Sequence, residues 1–214
     1  MAKQLKNKKE IPAIDFSTEE KIKNAARTIF HQKGFAATRT RDIAVESGIN
    51  LALLNYYFRS KEKLFGIIMQ ESMAGFVQTV RNAFNNETTS LERKIELFVS
   101  NYIDLLIEQP DLPLFLLSEL RSRPDELIAR INIKSVLQES HFMRQFQQEI
   151  KAGKITPVNP LHFMMNVMGL TVFPFVGSPM LKHLGGLSQQ EFNELMLERK
   201  KLIPKWVKAM LKTK

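Results

Sequence analysis

"RDIAVESGINLALLNYYFRSKEKLF", residues 41–65, carries two stripes of different character. One is apolar and regular: Ile43 and Ala44, then Ile49, Leu54, Phe58 and Leu64. The other gathers Arg41, Asn50, Asn55, Tyr56, Tyr57, Arg59 and Lys61 within about two helical turns of one another. Two short helices joined by a turn reconcile them. Gly48 follows Ala44 by four residues, and glycine takes a positive φ at such a turn without strain. Asn50 can cap the second helix, its side-chain oxygen accepting a backbone N–H. Ala44 is small because the second helix crosses close above it, and Ile49 plugs the turn into the core.

This Ala–x3–Gly–Ile–x4–Leu spacing is what a DNA-reading helix-turn-helix requires: the second helix enters the major groove and the first lies across the backbone. With the core positions assigned, Leu51, Ala52, Leu53, Asn55, Tyr56 and Tyr57 face outward. Asparagine can bond adenine bidentately, and small apolar groups can meet thymine methyls. Tyrosine hydroxyls, Arg59 and Lys61 can reach phosphates, as can the amides and hydroxyls at the start of helix 40–47. Tyr56 and Phe58 can equally be read as core residues, and Lys61 and Lys63 as solvated ones.

The rest of the chain reads as helical. Ile22, Ala25, Ala26, Ile29 and Phe30 form the stripe of an amphipathic helix. Ser17 and Glu20 of "STEE" open it as a capping box, and Gly34 closes it. "TSLE" and "SQQE" repeat the box at Thr89/Glu92 and Ser188/Glu191, and Asn159–Pro160 pairs a cap with a proline at the first helical position. Period-2 strands are absent. The expectation is an all-α fold of about nine helices: 17–33, 40–47, 51–57, 61–85, 90–108, 111–122, 124–151, 160–176 and 188–212. Residues 1–16 read as a basic flexible arm, 17–63 as a helix-turn-helix DNA-binding domain, and 64–214 as a helical effector-binding and dimerisation domain, with helix 61–85 as a rigid connector.

Charge supports the division. Residues 1–63 hold 13 Lys and Arg against 7 Asp and Glu, and the rest of the chain 18 against 15. A concentrated positive field suits a polyanion. The chain has no cysteine, which removes thiol catalysis and disulfides and fits a reducing cytoplasm. It lacks an apolar run long enough to span a membrane. No G-x-S-x-G, G-x-G-x-x-G, Walker loop or H-E-x-x-H is present, and His31, His141, His162 and His183 show no ligand spacing. No enzyme, cofactor or metal is therefore expected.

Residues 17–65 resemble the DNA-binding domain of the TetR (tetracycline repressor) family of transcriptional regulators. The matching pieces are "AARTIFHQKGFAATRTRDIAVESGIN", "YYF" and "SKEKLF". The resemblance implies base or backbone contacts from Thr40 and Arg41, groove contacts from Leu51, Ala52, Leu53 and Asn55 beside the capping Asn50, and phosphate contacts from Tyr56, Tyr57 and Lys61. This sequence departs from the common family pattern at Ala52, Asn55, Leu51 and Arg39, the last standing where threonine or serine is usual. Those departures bear on operator sequence.

Beyond residue 90 the chain is rich in Phe and Met at helical spacings. Most of these read as core. The resemblance implies a pocket for a small effector, and the candidates are Phe98, Tyr102, Phe115, Phe142, Met143, Phe146, Met165 and Met168. Such a lining favours an apolar or aromatic molecule. The last two helices imply a homodimer seam, with Leu195, Leu202, Trp206, Val207 and Met210 as candidates, and Pro204 should kink or interrupt the last helix. A two-fold dimer presents two heads to a near-palindromic double-stranded operator. The expected function is thus a ligand-responsive regulator, a repressor released by its effector. The rival is a basic helical module for protein interaction or a membrane surface. It would explain the basic arm but not the Ala44–Gly48–Leu54 spacing.

Overall fold

The computed structural model describes residues 16–131 and 138–212. The arm expected over 1–16 lies outside them, but for Phe16. Eleven helices occur among the described residues, and no strand. They are α1 (Phe16–Ala37), α2 (Thr40–Ser47), α3 (Leu51–Phe58), α4 (Lys61–Phe84), α5 (Leu91–Glu108), α6 (Leu112–Ser122), α7 (Pro124–Ile131), α8 (His141–Lys151), α9 (Pro160–Val176), α10 (Ser178–Gly185) and α11 (Gln189–Lys212). The chain divides into two compact units, one ending at Ile68 and the other beginning at Met69. The boundary falls inside α4.

In the first unit the stripe Ile22, Ala25, Ala26, Ile29 and Phe30 is buried, as its spacing requires. It packs with Ile43, Ala44, Leu54, Phe58, Leu64 and Phe65, all buried. Phe65 sits edge-on to Phe30, ring centres 4.9 Å apart, a preferred aromatic geometry. Gly34 breaks α1 with φ 70° and ψ 175°, and one further turn follows to Ala37. Ser17 lies inside α1 rather than at its cap, and Glu20 pairs with Lys23.

The second unit is built around α5 and α11, which pack along each other. Its core joins Phe84, Phe98, Phe142, Phe146 and Phe163 in a run of ring contacts. Each such ring removed from water stabilises by about 1.5–3 kcal/mol. Burial also pushes the Tyr102 hydroxyl well above its ordinary value of 10.0, because a phenolate could not be solvated there. Lys94 is fully buried among them, its ammonium donating to the Thr89 carbonyl and to Gln145 Oε1 at 2.9 Å.

Several helix boundaries differ from expectation for local reasons. Ser90, not Thr89, caps α5, its oxygen accepting from the Arg93 N–H at 3.2 Å. The Ser188–Glu191 box is present in both directions, and Asn159 caps α9 through the Leu161 N–H. Among the described residues the helix expected over 124–151 appears as α7 and α8, and the residues between 131 and 138 lie outside the described ones. Ser140 starts α8 afresh as its cap. The short α10 was not foreseen. It meets α9 at a bend of 69°. Among the described residues no single helix is long and apolar enough to cross a membrane.

Pro204 does not interrupt α11, which runs continuously through it. Pro174 likewise lies inside α9. A proline there removes the N–H that would satisfy the carbonyl four residues earlier, which is Leu170. That oxygen instead accepts from Arg199 Nη2 of α11 at 2.7 Å.

Candidate nucleic-acid interface

The helix-turn-helix forms from local chemistry. α2 ends at Gly48, φ 68° and ψ 22°, a left-handed conformation that glycine adopts freely. There the Gly48 and Ile49 N–H groups donate to the carbonyls of Val45 and Ala44 at 3.1 and 3.0 Å. Asn50 Oδ1 accepts the Leu53 N–H at 2.8 Å and caps α3. Leu54 and Phe58 turn into the core of the unit, Ile43 and Ala44 meet it from α2, and Ile49 is half-buried.

That burial fixes what faces outward. Ala52, Asn55 and Tyr56 are exposed on α3, Tyr56 by 42%. Leu51, Leu53 and Tyr57 are half-buried, as is Thr40 at the start of α2, and Arg41 beside it is exposed. The rings of Tyr56 and Tyr57 stand edge to face, centres 5.7 Å apart. Asn50 keeps its amide NH2 available beyond the cap. Arg59 and Lys63 add exposed cations. Arg59 terminates α3 at φ 62° and ψ −40°, a region that costs a residue with a Cβ.

Three supports were not foreseen. Arg39 supplies no side-chain cap to α2; Asp42 accepts the Arg39 backbone N–H at 3.4 Å and the Lys33 ammonium at 3.2 Å. The Lys33 hydrogen bond first, and the Arg39 N–H after it, hold the Asp42 carboxyl below its ordinary value of 3.8. Thr38 is buried, and its hydroxyl donates to the Gly34 carbonyl at 2.7 Å. Lys61, expected as a phosphate contact, is half-buried. Its ammonium donates to the carbonyls of Phe35 and Thr38 at 2.9 and 3.0 Å and lies 4.1 Å from the centre of the Phe35 ring. No sequence pattern signals a lysine reaching back 26 residues.

Residues 22–66 match the family model described as bacterial regulatory proteins, tetR family. Over those residues the chain is similar to the TetR family. It is 24% identical over 201 residues to a probable HTH-type transcriptional regulator, YttP, of Bacillus subtilis strain 168, covering 92% of this chain and 95% of that one. A tetR-family regulatory protein from Rhodococcus RHA1 shares the fold with a TM-score of 0.68 at 19% identity, over 94% of this chain and 100% of the other. The regulator FadR from Bacillus subtilis, solved in complex with stearoyl-CoA, matches with a TM-score of 0.57 at 19% identity, over 86% and 97%. Its curated relatives are HTH-type transcriptional regulators, and the chain carries the helix-turn-helix of a DNA-binding transcriptional regulator.

The residues of the other expected sites fall in varied surroundings. Phe98, Tyr102, Phe142 and Phe146 are buried and pack as core, Phe115 is buried too, and Met143 and Met168 are half-buried. Met165 is 51% exposed, so it lines no interior pocket. None of the eight borders a half-open groove of about 630 Å³ between α5 and α11. That groove is bordered by Glu92, Lys200 and Lys208, and the ion pairs Lys208–Glu92 and Lys200–Asp104 tie α5 to α11. At the expected dimer seam, Leu195, Trp206 and Met210 are each about two-fifths exposed and Leu202 is half-buried. Val207 is fully buried in the protomer's own core; it lies one position from the exposed face of α11.

Proposed function

We propose that the protein is a homodimeric repressor that binds a near-palindromic operator through α2 and α3 and is released by a small apolar effector. One observation carries the DNA reading: Leu54 and Phe58 anchor α3 inward, leaving Ala52, Asn55 and Tyr56 exposed beside Arg41 at the start of α2. Asn55 is suited to adenine, and Ala52 to a thymine methyl. Arg41, Tyr56 and Tyr57 are placed for backbone and phosphate contacts, with Thr40 and the α2 N-terminus adding amide donors. Residues 17–63 serve as the reading head and 64–214 as the effector-binding and dimerisation domain, acting in the cytoplasm.

The exposed apolar side chains of the last helices support the dimer. Met165 and Phe173 on α9, with Leu195, Trp206 and Met210 on α11, remain in water in the single protomer, and a second copy would cover them. An effector among Phe98, Phe142 and Phe146 must part a packed aromatic core. It acts as a switch only by favouring the parted conformation over the closed one. The complex of the related fold with stearoyl-CoA supports an apolar chain as effector class.

Binding of fragments selected from genomic DNA, titrated against salt, tests the reading. The log–log slope should be about −0.9 per phosphate neutralised, and Arg41→Ala should weaken binding without altering folding or dimerisation. Equal binding to anionic vesicles and DNA, insensitive to Arg41→Ala, overturns it. For the effector, compounds that raise the melting temperature should also release DNA. Stabilisers that leave DNA affinity unchanged count against the switch.

A further inference from the structure

The geometry points to a binding site for an anionic amphiphile, a single alkyl chain with a phosphate-like head, in the groove between α5 and α11. The groove encloses about 630 Å³, within the range of small-molecule sites. Its floor is apolar. Leu91 and Ile95 of α5, Leu211 of α11 and Ile155 from the turn after α8 border it and are buried. Its wall on the α11 side is made of long side chains. Lys200, Lys201, Lys205 and Lys208 project there from successive turns, and lysine stems cover apolar surface while their ammonium groups stay in water.

The charge of this lining is lopsided. Six Lys or Arg side chains border the groove against three Glu. Two of those carboxylates are already matched, Glu92 by Lys208 and Glu96 by Arg93, each at 2.9 Å. Lys200 is matched from outside the lining by Asp104. Lys201 and Lys205 are exposed and form no ion pair among the described residues. They stand one helical turn apart, a spacing at which like charges repel. An anion between them relieves that repulsion.

Floor and wall together select the ligand. A bare anion would leave the apolar floor against water, and a neutral chain would leave the two lysines unmatched. The α11 residues bordering the groove run from Lys200 to Lys212, about 18 Å of helix, a length that suits an extended chain. The groove is separate from the proposed dimer seam. Pro204 and Lys208 each stand two residues from Trp206, well over a right angle around the helix at about 100° per residue. A second copy seated on Trp206 leaves the groove open.

The experiment is isothermal titration of the full chain with dodecyl phosphate below its micelle concentration, with inorganic phosphate and dodecyltrimethylammonium as controls. Dodecyl phosphate is expected to bind one per chain with a Kd of about 0.2 mM or tighter, and neither control should bind. Lys201→Gln combined with Lys205→Gln changes only exposed residues; it should fold as before and weaken binding about fivefold or more. Ser100→Trp, which fills the groove from its half-buried place on α5, should abolish it. Should Ser100→Trp not fold, the lysine double variant decides alone. No binding of dodecyl phosphate, or equal binding of dodecyltrimethylammonium, overturns the inference. Inorganic phosphate binding as tightly as dodecyl phosphate also overturns it, leaving a plain anion site. Unchanged affinity in either folded variant does the same, because the chain then lies elsewhere, the aromatic core included. DNA takes no part in the titration, so these outcomes are distinct from failure of the regulatory reading.

Discussion

The bond between Arg199 and the Leu170 carbonyl makes a quantitative prediction, because Pro174 explains why it exists. In an unbroken helix the N–H at position 174 would donate to the oxygen of Leu170. Proline has none, and Arg199 Nη2 fills the vacancy at 2.7 Å while its guanidinium lies 5.2 Å from the Trp206 ring. Arg199→Met removes a hydrogen bond from a charged group, about 1.5–3 kcal/mol, and a cation–π contact, about 0.5–1 kcal/mol. The loss should therefore be about 2–4 kcal/mol. In a Pro174→Ala background the restored N–H satisfies Leu170, so the same substitution should remove only the cation–π contact and cost about 0.5–1 kcal/mol. The coupling energy of the double-mutant cycle is then about 1.5–3 kcal/mol. Urea unfolding followed by the fluorescence of Trp206, the single tryptophan, reads the second unit directly. Chain concentration must be held fixed, since self-association shifts apparent stability. Additivity of the two substitutions to within about 0.5 kcal/mol would refute the exchange of donors.

Three further outcomes are expected in the reading head. Gly48→Ala should cost about 1 kcal/mol, the backbone strain of a left-handed alanine, because an added Cβ meets nothing within 4 Å; a loss above about 4 kcal/mol in thermal unfolding would mean that packing, not φ, demands glycine. Arg59→Gly should relieve the positive φ at 62° and stabilise by about 0.5–1 kcal/mol, visible as a higher urea midpoint, and a lower midpoint contradicts the strain. Asp42 has its pKa depressed in the folded state below the ordinary 3.8, so its contribution is present above that value and disappears as pH falls through the depressed one. Asp42→Asn should therefore trail the wild type in stability at neutral pH and converge with it below about pH 4; a deficit that stays constant down to pH 3 removes the carboxylate from the account.

What was legible in the sequence was what is close in sequence. Gly48, Asn50 and the stripe through Ile43, Ala44, Leu54 and Phe58 act within one or two turns of each other, so their spacing states their geometry. The Lys61–Phe35 and Arg199–Leu170 bonds join residues 26 and 29 positions apart. A lysine or arginine reaching that far looks in sequence like any solvated one. α11 shows a subtler limit. Phe192, Met196, Ile203, Val207 and Leu211 are buried, and Leu195, Leu202, Trp206 and Met210 trace a second apolar stripe one residue out of step. Both stripes satisfy helical spacing, and a step of one residue is a rotation of about 100°. Placing Val207 on the outer stripe was an error of that one step, and only the position of α5 against α11 could correct it. The same two-stripe pattern carries information of its own. A helix that needs one apolar face to pack in its own bundle has no use for a second in water, so the stripe that burial rejects is the one that argues for a partner.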